Sequence, residues 1–392
     1  MKKYDYIIAG AGCAGLSLAY HLNQTALRNK SILLIDKVGK DQNDRTWCFW
    51  EMKNNPFERL VCRQWTSIHF YSKQFHSLLT LAPYRYKMIR SVDFYQFVKA
   101  DLQQNMNIEW AYENIVSIEE FGNGAQVTTD QAIYSAYWVF DSTYQPPLNL
   151  PQYHNLLQHF KGWEIETDAP VFDPESATLM DFRIKQQNEA RFFYVLPFNA
   201  RRALVEFTVF SASLLSPLAY EAALNSYLKE FYQLDSYHIV HEEFGVIPMT
   251  DAKLTDHPSK HIVRIGTSGG YTKPSTGYTF LRIQERTQAL VNALLHTAEP
   301  FTVPQAFQSR FALYDSVLLN VLQKNRCEAQ AVFASLFQKN PASTVFQFLD
   351  EQTNLLQELE IVLSVPSMPF LTALTDVLYK KVTEWVKQKG AK

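Results

Sequence analysis

Asp5-Tyr-Ile-Ile-Ala-Gly10-Ala-Gly12-Cys-Ala-Gly15-Leu16 is followed by a second apolar run that ends in Leu33-Leu34-Ile35-Asp36. This order predicts a strand, a glycine loop, a helix and a second strand, the βαβ unit that binds dinucleotides. Gly10 permits the tight turn, Gly12 lets the backbone approach a pyrophosphate, and Gly15 lets the helix pack closely on the strand. Asp36 lies about 20 residues after Gly15, where a carboxylate accepts hydrogen bonds from a ribose 2′-OH and favours FAD or NAD over NADP. The alternative is a βαβ unit with a glycine turn that binds no nucleotide.

The composition excludes several classes of protein. The 392 residues carry a net charge of −2, and 47% of them are hydrophobic, so the chain is neither disordered nor a basic nucleic-acid binder. No run reaches the ~18 consecutive apolar residues of a membrane span. The cysteines show no C-x-x-C pair and no metal spacing, so we expect reduced thiols, no metal site and a cytoplasmic location: Cys13, Cys48, Cys62 and Cys327.

The remaining pattern predicts further elements. Residues 44–51 have no clear periodicity and are a loop candidate, whereas residues 245–249 read as a short crossing segment. Prolines 146, 147 and 151 mark a boundary into a β-rich portion. We expect strands at 86–90, in several runs over 108–141, at 178–184, 191–196, 203–210 and 262–265, and helices at 92–102, 218–232, 281–295 and through the last hundred residues.

A second glycine-rich loop follows the strand at 262–265. Its glycines and threonine precede a helix, so its backbone N–H groups can cradle an anionic or ribityl group: Gly266, Gly269, Gly270, Thr276 and Gly277. Two such loops in one chain favour FAD over NAD. The alternative is a plain loop rich in glycine and threonine.

The strand at 203–210 carries one carboxylate, Glu206. Strand alternation places Leu204, Glu206 and Thr208 on one face, and the other face is wholly apolar. A carboxyl group that is partly buried in such a strand disfavours its charged form and is a competent acid near neutral pH. The alternative is an edge-strand glutamate that faces water.

Several segments together resemble the flavoprotein lycopene cyclases of the bacterial lycopene β-cyclase type. They are the N-terminal fingerprint, Arg45-Thr46-Trp47-Cys48-Phe49-Trp50, Phe193-Tyr194-Val195-Leu196-Pro197, Leu204-Val205-Glu206-Phe207-Thr208, Gly245-Val246-Ile247-Pro248-Met249 and Lys273-Pro274-Ser275-Thr276-Gly277-Tyr278. The resemblance implies an α/β fold: an FAD-binding Rossmann-like three-layer domain (1–150 and 240–300), a β-sheet substrate portion (151–239) and a helical C-terminal region (301–392) that lines the substrate pocket or a membrane face.

The same resemblance implies a redox-neutral cyclisation of lycopene ends to β-rings, with Glu206 as the catalytic acid. Reduced FAD would stabilise the cation, NAD(P)H would reduce the flavin, and the aromatic faces of Trp47, Phe49 and Trp50 either contribute or belong to the core. A flavin monooxygenase, a polyprenyl reductase or a non-catalytic carotenoid-binding flavoprotein are the alternatives.

The sequence departs from the family pattern in two places. Phe207 stands where a second carboxylate is usual, so another acid would have to come from elsewhere; Asp181, Glu51 and Glu164 are the candidates. Lys273 stands where a histidine often precedes the proline.

A lycopene substrate resides in the bilayer, so we expect peripheral contact with the inner face of the membrane. The C-terminal run offers apolar residues flanked by lysines: Leu371, Leu374, Val377, Leu378, Val382, Trp385 and Val386, with Lys380, Lys381, Lys387 and Lys389. The alternative is a terminal helix docked on the core.

Overall fold

The computed structural model describes residues 2–145, 150–301 and 309–390. Its first sheet is the predicted nucleotide-binding sheet, with strands in the order β8 (Ile108–Tyr112), β2 (Ile32–Asp36), β1 (Lys2–Ala9), β11 (Ile133–Asp141), β10 (Gly124–Thr129) and β9 (Ile115–Phe121), and with β17 (Ile262–Arg264) beside β11. β1 pairs in parallel with β2 and β11, and β17 pairs in parallel with β11. The strand predicted at residues 262–265 is therefore confirmed, and it belongs to this sheet.

Both faces of this sheet are buried. Adjacent side chains of β1 point to opposite faces and pack in two different hydrophobic clusters. Ile8 packs with the helices α1 (Cys13–Asn23), α2 (Ser91–Leu102) and α4 (Phe280–Thr297). Ile7 packs on the opposite side with Val127 of the β9–β10 hairpin. The resulting architecture is the predicted three-layer Rossmann-like fold.

A second seven-stranded sheet carries Glu206. Its order is β16 (His238–Thr250), β12 (Asn155–Glu166), β15 (Arg202–Ser211), β14 (Ala190–Asn199), β13 (Ala177–Asp181), β5 (Ser67–Tyr71) and β6 (His76–Thr80). The helix α3 (Pro217–Tyr232) covers one face, where Leu224 and Tyr227 pack on Val205 and Phe207. A smaller sheet joins β3 (Thr46–Glu51), β7 (Arg85–Arg90) and β4 (Val61–Trp65).

The C-terminal region is helical, as predicted. It comprises α5 (Ser309–Gln323), α6 (Ala329–Lys339), α7 (Ala342–Leu349), α8 (Leu355–Ser364) and α9 (Ser367–Gly390). Side chains such as Phe333 and Phe346 of these helices join the core that covers the other face of the second sheet. Asn354 begins α8 with a capping box, so α7 and α8 are separate helices.

Two local predictions are wrong. Residues 46–51 form β3, and its alternation is hidden because both sides are packed: Phe49 stacks on Phe280, and Trp50 stacks on Phe346. Residues 245–249 are the end of β16, a strand of 13 residues.

Sheet membership also differs from the predicted division at residues 150 and 240. The hairpin of β5 and β6 and the whole of β16 pair within the second sheet. Long-range pairing of this kind leaves no local signal in the sequence. Prolines 146 and 147 of the predicted boundary lie outside the described residues, and the division into domains stays a prediction.

Apolar side chains are exposed along the last two helices. In the described chain no single helix is long and apolar enough to cross a membrane, although α8 and the first part of α9 pass that test together with a bend of 116°. Ala373 and Val377 of α9 are buried, and the exposed apolar side chains are Leu355, Leu356, Leu359, Val362, Leu363, Met368, Leu371, Leu378, Tyr379, Val382 and Val386. We call this set the α8–α9 surface. The side chains of Trp385, Lys387 and Lys389 lie outside the described set.

Candidate active site

The first glycine loop has the geometry of a phosphate cradle. Gly10 has a φ of +92°, and a Cβ there would lie 2.2 Å from Ser142 Oγ. A Cβ on Gly15 would lie 1.9 Å from the carbonyl oxygen of Gly10, so α1 can approach the loop only with glycine there. A Cβ on Gly12 would meet nothing within 4 Å, and this residue begins α1 without a side-chain cap. The backbone at Gly12 therefore faces open space with free helix N–H groups, as anion binding requires.

Asp36 stabilises this loop through hydrogen bonds to its backbone. Its carboxylate accepts hydrogen bonds from the backbone N–H groups of Ala11, at 2.7 Å, and Val38, at 3.1 Å. The structure therefore places the predicted acid at the loop, and its bond to a ribose hydroxyl stays a prediction.

The second glycine loop meets the first. Gly266 has a φ of +65°, and a Cβ there would lie 2.8 Å from the Cβ of Ala14 in α1. Thr276 and Gly277 line the same cavity as Gly12. Gly269 and Gly270 instead line a second cavity of about 810 Å³ beneath α9, whose walls carry mostly polar and charged side chains.

One cavity of about 450 Å³ joins the glycine loops to Glu206. Gly12, Gly266 and Gly277 line it together with Glu206, and most of the remaining wall is apolar or aromatic: Trp47, Tyr86, Tyr95, Phe160, Tyr194, Leu196, Leu204, Val246, Ile247, Pro248, Tyr278, Phe280 and Ile283. The predicted acid and the predicted cofactor loops thus open onto the same space.

Glu206 lies on an interior strand of the second sheet. Its partly exposed side chain accepts a hydrogen bond from Thr208 Oγ1 at 2.8 Å, and the residues on both sides of it in β15 are buried. Burial first, and then the negative charge of Glu243, raise the pKa of Glu206 well above the usual range of a carboxyl group. The predicted acid is therefore held towards its protonated form.

The sequence did not indicate Glu243, the carboxyl group whose negative charge and hydrogen bonding act on Glu206. Glu243 is 5% exposed, lines the cavity and accepts a hydrogen bond from Thr46 Oγ1 at 2.8 Å. Burial raises its pKa, against the opposing effect of the Thr46 hydroxyl. Apolar and polar residues do not alternate simply over residues 238–250, so no local signal marked this segment as a strand.

The three carboxylates considered as partners of Glu206 are engaged elsewhere. Asp181 pairs with Arg183, Glu51 with Lys87 and Glu164 with Arg202, and none of the three lines the cavity.

The two departures from the family pattern are also explained. The side chain of Phe207 stacks on Phe193 on the face that α3 covers, so a carboxylate at this position would point away from Glu206. Lys273 is buried and forms ion pairs with Asp315 and Glu351, which tie its loop to the C-terminal helices.

Aromatic side chains surround the acid. Tyr194 is the register partner of Glu206 on β14, and the hydroxyl groups of Tyr86 and Tyr278 lie 3.2 Å apart in the same wall. Of the aromatic residues named from the sequence, Trp47 lines the cavity. Phe49 and Trp50 are packed in the core, where Trp50 Nε1 donates to Asp350 at 2.9 Å.

The residues present fit FAD. Gly12 and the start of α1 can take the pyrophosphate, and α4 also begins without a side-chain cap. Gln158 Oε1 is buried in the cavity wall without a hydrogen-bond partner in the described chain, and a Cβ on Gly277 would lie 2.3 Å from it. An unpartnered acceptor beside a bare backbone is suited to a hydroxyl or ring N–H donor of a bound cofactor.

Comparison with known proteins agrees with this geometry. The model of the lycopene cyclase protein family matches residues 5–375. The chain belongs to the lycopene cyclase family. A lycopene beta-cyclase from Paracoccus sp. (strain N81106 / MBIC 01143) is 25% identical over 95% of this chain and 96% of its own.

Two solved structures share the fold of this family member. One is a geranylgeranyl bacteriochlorophyll reductase-like protein from Thermoplasma acidophilum, with a TM-score of 0.59, 13% identity and 99% coverage of both chains. The other is PqsL from Pseudomonas aeruginosa, described as a probable FAD-dependent monooxygenase, with a TM-score of 0.54, 13% identity and coverage of 89% of this chain and 100% of its own. At these identities the likeness shows the fold alone.

Proposed function

We propose that the protein is a lycopene β-cyclase that closes the linear ends of lycopene into β-rings by redox-neutral acid catalysis. The observation that carries the proposal is a half-buried carboxyl group, Glu206, in the wall of the cavity that also holds both glycine loops. Family membership supplies the substrate class, since the lycopene beta-cyclase of Paracoccus matches nearly the whole chain.

Glu206 is suited to start the reaction. Its raised pKa keeps a proton on the carboxyl group near neutral pH, and this proton would go to the terminal double bond of the polyene. The neighbouring double bond then attacks the cation and closes a six-membered ring, and loss of a ring proton gives the β-end. Positioned proton transfer of this kind typically contributes about 10²- to 10⁴-fold in rate.

The cavity wall is suited to a cationic intermediate. Its aromatic faces include Trp47, Tyr194 and Tyr278, and a cation over such a face gains about 0.5–2 kcal/mol. Burial raises the pKa of Tyr194, which keeps its hydroxyl group protonated. With the substrate in the cavity, the apolar part of the wall would limit the water that could trap the cation as an alcohol.

The cofactor we propose is FAD, held at Gly12, the start of α1, Gly266, Thr276 and Gly277. Reduced FAD, when bound, would supply negative charge that stabilises the developing cation electrostatically. NAD(P)H would reduce the flavin without being consumed in proportion to product.

A flavin monooxygenase or a polyprenyl reductase is the second candidate, because solved structures described in those terms share the fold. Such enzymes consume NAD(P)H in proportion to product. Substrate-coupled NAD(P)H oxidation by the purified protein would favour this candidate over the cyclase.

We further propose peripheral binding to the inner face of the cell membrane through the α8–α9 surface, with Lys380 and Lys381 beside it. This binding would let a bilayer-resident carotenoid reach the protein. The four cysteines are all free, which fits the reducing side of that membrane.

The test is expression in a bacterial host that accumulates lycopene, with pigment analysis by chromatography. We expect cyclic products with the unchanged protein. We expect at least a 10²-fold loss with Glu206→Gln, because the amide cannot donate the proton, while bound flavin is retained. The control is Glu242→Gln, which changes a neighbouring glutamate that is exposed and ion-paired to Lys161. Unchanged lycopene despite soluble, FAD-loaded protein would refute the cyclase, and full activity of Glu206→Gln would refute the acid.

A further inference from the structure

Glu206 and Glu243 come from strands that do not touch each other. The register of the sheet pairs Gly162 of β12 with Glu206 on one side and with Glu243 on the other. Neighbouring strands lie about 4.8 Å apart, so the backbones of the two glutamates are separated by about twice that distance. Because all three residues occupy one row of the sheet, both glutamate side chains extend from the same face.

Gly162 has no side chain, so the space over the middle strand is open to the side chain of Glu243. A Cβ on this residue would lie 3.1 Å from Cγ and 3.4 Å from Oε1 of Glu243, and 3.0 Å from Leu204 Cδ1. The side chain of Glu243 therefore lies across β12, where any larger residue would carry its own side chain. The missing side chain is what lets the two carboxyl groups interact.

Among the carboxylate oxygens of the pair, one buried acceptor has no hydrogen-bond donor in the described residues. Glu206 Oε1 receives the hydroxyl of Thr208, and Glu243 Oε2 receives the hydroxyl of Thr46. Glu243 Oε1 is buried and, within the described residues, has no hydrogen-bond partner when both carboxyl groups are ionised. A proton on Glu206 would supply the missing donor, because a protonated carboxyl group donates one O–H bond.

The charged surroundings favour this distribution of the proton. Arg45 and His241 act on Glu243 and favour its ionised form, whereas no cation is among the main influences on Glu206. The other titratable groups around Glu206 remain neutral, because burial raises the pKa of each: Cys48, Tyr86, Tyr194 and Tyr278. Two like charges in one buried site oppose each other, so one carboxyl group of the pair is held towards its protonated form.

We propose that Glu206 and Glu243 form a carboxyl pair that shares one proton, in which Glu243 is a positioning residue that keeps Glu206 protonated. The inference deepens the proposed function. In the reaction, the O–H bond of Glu206 breaks as a C–H bond forms on the substrate. After ring closure a C–H bond of the ring breaks, and its proton returns to the pair. The pair regains its starting state, and no oxidant or reductant is consumed.

The test is an infrared pH titration of the purified holoenzyme, in which the carbonyl stretch of a protonated carboxyl group is followed without carotenoid. We expect one component of this signal to persist to neutral pH in the unchanged protein and to be lost in Glu206→Gln, separate from the signal of Asp350, whose pKa burial raises to about 7. In Glu243→Gln the midpoint should fall by at least about one pH unit, because the neighbouring charge is gone. The alkaline limb of the pH–rate profile should fall by the same amount, which a merely structural role would not produce.

Gly162→Ala supplies a second variant that retains both carboxyl groups. Gly162 has no positive φ, so alanine is compatible with its backbone, and the new methyl group would displace Glu243. We expect a smaller downward shift of the same midpoint, with Glu242→Gln as the unshifted control. An unchanged midpoint in both Glu243→Gln and Gly162→Ala would overturn the shared proton. Because the titration needs no carotenoid, a failed pigment assay with the expected midpoints would refute only the proposed function.

Discussion

At the scale of single residues, the site depends on a conflict between burial and charge. Glu206 occupies an interior strand, and its neighbours on the same face, Leu204 and Thr208, are almost wholly buried. An ionised carboxyl group is unfavourable there, and the resulting rise in pKa is what makes the group an acid near neutral pH. The same feature must reduce the stability of the fold once the group ionises.

Glu206→Gln should therefore make the protein less sensitive to alkali. The raised pKa of Glu206 gives a contribution to stability that is full below its unfolded value of about 4.5 and is lost as the pH rises through the folded value. The variant lacks this loss, so we expect its free energy of unfolding at pH 9 to exceed that of the unchanged protein by about 1 kcal/mol or more. Urea denaturation at pH 5 and pH 9 measures the difference. Equal pH dependence of the two proteins would contradict the raised pKa.

Glu206 could be found from the sequence, whereas its partner could not. A lone carboxylate in an apolar alternating strand is a local signal. Glu243 becomes significant only through the register of β12, which places Gly162 between two strands that are distant in the chain. No pattern within a short window contains that information.

At the scale of elements, two glycines at the start of α1 differ in role: one allows close packing of the helix, and the other is available for ligand binding. Gly15 is required because a Cβ would overlap the carbonyl group of Gly10, whereas Gly12 faces open space. The two glycines are three residues apart, one at the N-cap of α1 and one in its first turn, and have different roles that a pair of alanine substitutions can distinguish.

We expect Gly12→Ala to change the melting temperature of the apoprotein little, because no atom lies within 4 Å of the new methyl group, yet to weaken FAD binding at least tenfold. Gly15→Ala should destabilise the apoprotein by about 2 kcal/mol or more, because the strand–helix contact must open. Flavin absorbance after gel filtration and thermal melting of the apoprotein measure the two effects. Normal FAD retention in a stable Gly12→Ala protein would argue against the phosphate cradle.

The two elements predicted wrongly lack simple alternation for different reasons. Aromatic rings pack on both sides of β3. β16 is an edge strand whose exposed side carries the apolar residues Val240, Phe244 and Val246, while its other side carries Glu243 in the cavity wall. The βαβ unit was predicted correctly because its glycine loop and helix are defined by neighbouring residues.

At the scale of the whole molecule, the α8–α9 surface and the acid lie on different parts of the fold. Ala373 and Val377 dock α9 on the core, so the predicted alternative of a docked terminal helix is correct for one side of this helix. The other side, together with α8, leaves large apolar side chains in contact with solvent. Exposed apolar surface on this scale marks a site of interaction.

Leu356→Glu combined with Leu363→Glu should reduce binding to lipid vesicles at least tenfold. Both side chains lie on α8 and are 75% and 67% exposed, so glutamate disturbs no core contact but opposes insertion. Co-sedimentation with vesicles that contain anionic lipid measures the loss. The control is Leu218→Glu, an equally exposed leucine on α3, at 76%. Equal binding of the α8 variant and this control would contradict a membrane role for the α8–α9 surface.

The bare position at Gly162 also has a consequence for engineering. In the proposed pair, the acid strength of Glu206 depends on Gly162, which has no side chain and lies on a strand that carries neither carboxyl group. A designer who wishes to move the working pH therefore has a third position available, and can adjust it by one methyl group while the proton donor is left intact. A mutational scan that scores only residues with reactive side chains would overlook this control point.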